Sequence, residues 1–134
     1  MRNFEDLFGK ETTKIKLSLL WAFAMLNYIY ADILTLMDSK ALNDIINGTV
    51  DMPPFVMLLG AVLMEIPIAM IFLSLILDGK INKWSNIVAG IIKTFAVLGS
   101  LFVGTPALYY LFFVIIESIT TLVIIIIAWR WNFT

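Results

Sequence analysis

Four ionisable side chains stand inside otherwise apolar stretches of this 134-residue sequence: Asp32, Glu65, Lys93 and Glu117. Groups of these types bind cations, exchange protons or pair with one another, and each of those chemistries requires that they meet. A charge at the centre of a bilayer costs on the order of 2.5–3.5 kcal/mol on insertion scales, so four of them must be paired, hydrated or protonated. One lysine cannot neutralise three carboxylates; three negative and one positive charge leave -2 if all are ionised. A carboxyl that a proton or an incoming cation can neutralise is the basis of a proton-coupled or cation-binding site. The plainer alternative is that Lys93 neutralises Glu65 or Glu117 and holds helices together, while Asp32 reaches the outer water.

Other chemistries are excluded by composition. The chain has no Cys and no His, which removes disulfides, thiol redox, imidazole ligation of haem or zinc, and every histidine-based triad. A net charge of -1 leaves no basic surplus for nucleic-acid phosphates. Seven Met and ten Phe read as lipid-facing or core residues, so neither a metal nor a cofactor is expected.

The elements that must position the four charges follow from hydropathy. Hydrophobic residues make up 61% of the chain, against roughly 45–50% in ordinary globular proteins. Apolar runs cover 15–37, 55–77, 87–104 and 107–128, which is 23, 23, 18 and 22 residues, and a bilayer core needs about 20. They leave no room for a second domain, so residues 1–134 read as one membrane domain. The expected fold is an all-α integral membrane protein, an antiparallel four-helix transmembrane bundle. Residues 38–54 form an outer loop, with a short helical stretch over Ala41 to Asn47 capped by Asp38 or Ser39 and stopped by Gly48. Thr105-Pro106 reads as N-cap and first position of the fourth span, making spans three and four a tight hairpin. Arg2 to Lys16, with Phe4, Leu7 and Phe8, reads as a surface amphipathic segment. Gly60, Gly90, Gly99 and Gly104 read as points of close helix approach. The Ala22-Phe23-Ala24 triplet lies early in a run that continues to Met37, so signal-peptide cleavage is not expected there. Asn47-Gly48-Thr49 and Asn132-Phe133-Thr134 match the glycosylation pattern without a context that would use it.

Orientation and helical phase complete the reading. With the N-terminus inside, Arg2, Lys10, Lys14, Lys16, Lys80, Lys83 and Arg130 are cytoplasmic, against Lys40 alone outside. The chain is therefore expected in the inner or plasma membrane, multi-pass, with both termini cytoplasmic. Trp84, Trp129 and Trp131 mark the inner interface, and Tyr109 and Tyr110 the outer one. Counting at about 1.5 Å per residue puts Glu65, Lys93 and Glu117 in one layer near the midplane, with Asn27 at that level and Asp32 above it. Asn86, Gly90, Lys93, Val97, Ser100 and Gly104 form a small and polar stripe in the third span. Ser18, Trp21, Met25, Tyr28, Asp32 and Thr35 share a face of the first; Tyr110, Phe113, Glu117, Thr120 and Ile124 share one of the fourth. Pro67 in the second frees the carbonyl of Leu63, an extra acceptor for a ligand or water near the midplane.

Several strings occur together: Leu26-Asn27-Tyr28 with Asp32, Met64-Glu65-Ile66-Pro67, Trp84-Ser85-Asn86, and Phe102-Val103-Gly104-Thr105-Pro106 followed by Tyr109-Tyr110. In these the chain resembles a family of uncharacterised prokaryotic four-helix membrane proteins distantly akin to the DoxX-like group, over roughly Lys16 to Trp131. More remotely, that group is similar to the sterol isomerase and sigma-receptor bundles, which hold amphipathic amines or sterols among intramembrane carboxylates. The resemblance implies that Asp32 and Glu65 are counterparts of such carboxylates, with no counterpart for Lys93.

The leading expectation is a buried site for a small cationic or amphipathic molecule, linked to proton exchange and formed by Asn27, Tyr28, Asp32, Glu65, Lys93 and Glu117. One alternative is an accessory subunit whose charges pair with another membrane protein. Another is a small proton-coupled exporter resembling the small multidrug transporters, although the first-span glutamate of those is absent. Enzymatic chemistry is the less expected reading and would rest on proton shuttling by Glu65. Expected partners are lipid, the small molecule, and a second copy or a partner membrane protein, but no nucleic acid.

Overall fold

A computed structural model of the chain describes residues 4–132, with side chains from residue 9 onward. Among the described residues all regular structure is helical: α1 (Phe4–Met37), α2 (Ser39–Ile46), α3 (Pro54–Ile76), α4 (Gly79–Ser100) and α5 (Leu108–Arg130). Three segments are long and apolar enough to cross a membrane: Gly9–Met37 in α1, Pro54–Ile76 in α3 and Leu108–Arg130 in α5. α1 packs against α3 and α5, and α4 also packs against α3 and α5, so the four long helices meet in a closed ring.

The helix limits differ from the hydropathy runs for physical reasons. The run at 87–104 belongs to a helix that starts eight residues earlier, at Gly79, and ends at Ser100. Hydropathy marks where apolar side chains begin; the helix continues through Lys80 and Lys83 because Asn82 and Asn86 find partners inside. Thr105-Pro106 does not cap the last helix. α5 starts at Leu108 behind Ala107, with no side-chain cap, and Pro106 belongs to the connection. The expected helix in the outer loop is α2, where Asp38 accepts a hydrogen bond from the Lys40 N–H at 3.0 Å. Arg2 and the side chains of Phe4, Leu7 and Phe8 lie outside the described residues, as do Phe133 and Thr134 of the second glycosylation triplet.

A polar knot ties α1, α3 and α4 together. Trp21, Ser74, Asn82 and Asn86 are fully buried. Asn86 Oδ1 accepts from Trp21 Nε1 at 2.8 Å and from Ser74 Oγ at 3.1 Å. Asn86 Nδ2 donates to Asn82 Oδ1 at 2.7 Å and to Asn82 O at 2.9 Å. Asn82 Nδ2 donates to the carbonyls of Ser74 and Leu77, both at 2.8 Å. These are orphan acceptors at the end of α3, so α4 caps the helix before it. The corner between them is short enough that Gly79 takes φ +57, in the left-handed region. Lys14 of α1 ion-pairs with Asp78 at this corner.

Close approach of α4 to α5 centres on Gly90, where an added Cβ would lie 2.7 Å from Ile125 Cγ1. Beside it, the hydroxyls of Thr94 and Thr121 meet at 2.8 Å. The same role does not hold for Gly60, Gly99 and Gly104, whose added Cβ would meet nothing within 4 Å.

Candidate functional site

On the other side of the helix ring's interior from the knot, along the chain direction of α1, the polar groups no longer close on themselves. Tyr28, Ala31 and Asp32 of α1, Gly60, Leu63 and Met64 of α3, Lys93, Ala96, Val97 and Ser100 of α4, and Tyr110 and Glu117 of α5 line a cavity of ≈ 380 Å³. The volume is near the lower end of the roughly 300–1,000 Å³ range of small-molecule sites. Lys93 and Glu117 are 3% and 5% exposed, so both are withdrawn from solvent, whereas Asp32 is exposed at the rim.

Lys93 sits in a seat of neutral groups. Its Nζ lies 4.1 Å from the centroid of the Tyr28 ring, in a cation–π contact. It donates to the carbonyl of Leu63 at 3.3 Å and approaches Met64 Sδ at 3.9 Å. That carbonyl is available because Pro67, four residues on in α3, has no N–H to offer it. The acceptor foreseen for a ligand or water is thus filled by the chain's own lysine.

Glu117 is placed differently. It lies on the inward stripe of α5 with Thr120, Thr121 and Ile124, all buried. Among the described residues its carboxylate has no hydrogen-bond partner and no cation within ion-pair distance. The Tyr28 hydroxyl is also buried without a partner. At the other side of the cavity Tyr110 OH donates to Ser100 Oγ at 2.5 Å, which donates to Val97 O at 2.5 Å. Among the described residues no group of three or more acidic side chains is arranged to hold a metal ion.

Of the six residues expected at the site, four line the cavity: Tyr28, Asp32, Lys93 and Glu117. Glu65 does not. It is exposed on the outside of α3, because the inward stripe of that helix runs through Gly60, Leu63, Pro67, Met70 and Ser74 and leaves position 65 on the opposite side. Asn27 does not line it either; its side-chain amide donates to the carbonyl of Phe23 in its own helix at 2.8 Å. Met64 was not foreseen. The signal that locates the face beside it is Gly60, Pro67 and Ser74 recurring every seven residues in an otherwise uniformly apolar helix.

No curated protein and no solved structure matches the chain. A family model described as a family of unknown function, DUF6326, matches residues 1–134. The chain that builds this cavity therefore belongs to the DUF6326 family.

Proposed function

We propose that the protein is an antiparallel four-helix transmembrane bundle whose interior cavity binds a small cationic or amphipathic molecule, with proton exchange as a linked step. In this reading it is multi-pass in the inner or plasma membrane with both termini cytoplasmic, as the seven-to-one distribution of Lys and Arg favours. α4 serves as the fourth span. Its polar residues Asn82, Asn86 and Lys93 are buried, and Ile81, Trp84, Val88 and Phe95 face outward. The observation that carries the reading is Glu117, buried on the cavity wall without a bonded partner while the one nearby ammonium is held by neutral groups. With Glu65 outside, Asp32, Glu117 and Lys93 give two negative charges and one positive, or -1 when ionised, which one monovalent cation balances. Of the two carboxylates that the remote resemblance implies, Asp32 and Glu65, only Asp32 lines the cavity.

The test is thermal stabilisation of the purified protein by benzyltrimethylammonium and by phenethylammonium, against neutral analogues of the same shape. Wild type is expected to be stabilised by at least one cation and Glu117→Gln by neither. Equal responses of the two proteins remove the site.

An accessory role is favoured by a different observation. Residues 55–62 of α3 are all exposed, with Gly60 at the open side of the cavity, and Glu65, one turn on, is an outward-facing charge within a span. Lys93 is buried and cannot reach a partner, so a membrane protein or second copy would meet Glu65. Glu65→Gln would then abolish the complex seen by cross-linking in native membranes, and a complex unaffected by it removes this reading.

A further inference from the structure

The seat around the Lys93 ammonium is more specific than a lysine held in hydrocarbon needs. Two buried groups of opposite charge are best satisfied by pairing, since each leaves the other uncompensated when it does not. Here Lys93 has instead a ring face, a carbonyl without its helical donor and a thioether, while Glu117 stands unpaired in the same cavity. The three neutral groups together suit one chemical species. The carbonyl of Leu63 demands an N–H donor, the Tyr28 ring demands a cation, and Met64 with Ala96 and Val97 supplies apolar surface for a short stem.

We propose that the cavity takes a primary ammonium with a short apolar stem, in the seat that the ammonium of Lys93 fills in this structure. Lys93 is then the intramolecular competitor of the ligand. When the ligand takes the seat, the flexible lysine side chain moves to Glu117 and completes the pair that is missing. The four-carbon tether ends in the same cavity that Glu117 lines. A quaternary ammonium, which has no N–H for the carbonyl of Leu63, fits the seat poorly. The proposal rests on the cavity being a binding site and names the class of molecule it selects.

The test uses the full chain in a neutral detergent with n-propylammonium chloride as probe, and n-propanol and tetramethylammonium chloride as controls at matched ionic strength. n-Propylammonium reproduces the part of Lys93 beyond Cβ. Lys93→Ala is expected to be destabilised, to regain most of its thermal midpoint with n-propylammonium and with neither control, and to bind it ~10-fold or more tightly than wild type, which must first release its own lysine. Lys93→Met is expected to keep the fold if Lys93→Ala does not, with the same preference among the three probes. In wild type, the ε-methylene protons of Lys93 are expected upfield of the common lysine position, since the ammonium lies over the Tyr28 ring. Saturating n-propylammonium is expected to return them to the common lysine position in ¹³C-lysine NMR spectra, which requires neither variant. Equal binding by wild type and variant, an equal response to tetramethylammonium, or an unmoved ε-methylene signal overturns the proposal. If the Lys93 variants behave as expected while Glu117→Gln changes no cation response, the seat stands and the role of Glu117 falls. If Glu117→Gln abolishes the response and n-propylammonium rescues nothing, the reverse holds.

Discussion

The knot at Trp21, Ser74, Asn82 and Asn86 and the cavity at Tyr28, Lys93 and Glu117 are both polar interiors of the same helix ring, and they are built on opposite plans. In the knot both amide hydrogens of each asparagine are used, and Asn86 Oδ1 accepts twice. In the cavity the Tyr28 hydroxyl and the Glu117 carboxylate have no partner, and the lysine leans on neutral groups. A fully satisfied network fixes a unique packing, whereas unmet polar groups cost free energy unless something else meets them. The difference teaches that one region specifies the fold and the other is held open by it.

Substitutions can break or sharpen that contrast. Asn86→Ala strands Trp21 Nε1, Ser74 and Asn82 together, and is expected to cost about 3 kcal/mol in denaturant-induced unfolding. Gly90→Val drives a side chain into Ile125 and is expected to cost ~1–3 kcal/mol by the same measurement, without changing ligand selectivity. Glu117→Gln removes an unpaired buried charge, so unfolding should show stabilisation of up to ~1 kcal/mol together with loss of the cation response. A destabilised Glu117→Gln would mean that the cavity is a structural ion-pair site after all. Glu65→Gln, on the outer surface, is expected to change stability by less than about 0.5 kcal/mol and to leave cation binding as in wild type.

Much of this contrast is legible in the amino-acid sequence, and the exceptions have physical causes. The stripe Asn86, Gly90, Lys93, Val97 is legible because α4 mixes polar and apolar residues, and all four are buried. The stripes of α1 and α5 place Trp21, Tyr28 and Glu117 correctly for the same reason. Glu65 misleads because α3 is apolar on every side, so a charge attracts attention where helical phase gives little guidance. Asn27 misleads because depth alone does not say which way a side chain faces, and an amide within a helix can bond back to its own turn. The freed carbonyl of Leu63 is legible from Pro67 alone, but its occupant is not, since Lys93 is 30 residues away along the chain.

α1 has a consequence of its own. Its 34 residues make a rod of about 51 Å at about 1.5 Å per residue, while a hydrocarbon layer is about 30 Å thick. Trp21, clamped in the knot, stands near the middle of the rod, about 26 Å from Phe4 and about 24 Å from Met37. Ser18, donating to the carbonyl of Ile71 at 2.7 Å, and Lys14, paired with Asp78, fasten the half toward Phe4 as well, so the rod is gripped at its middle and again below it, and its surplus length extends from a fixed element.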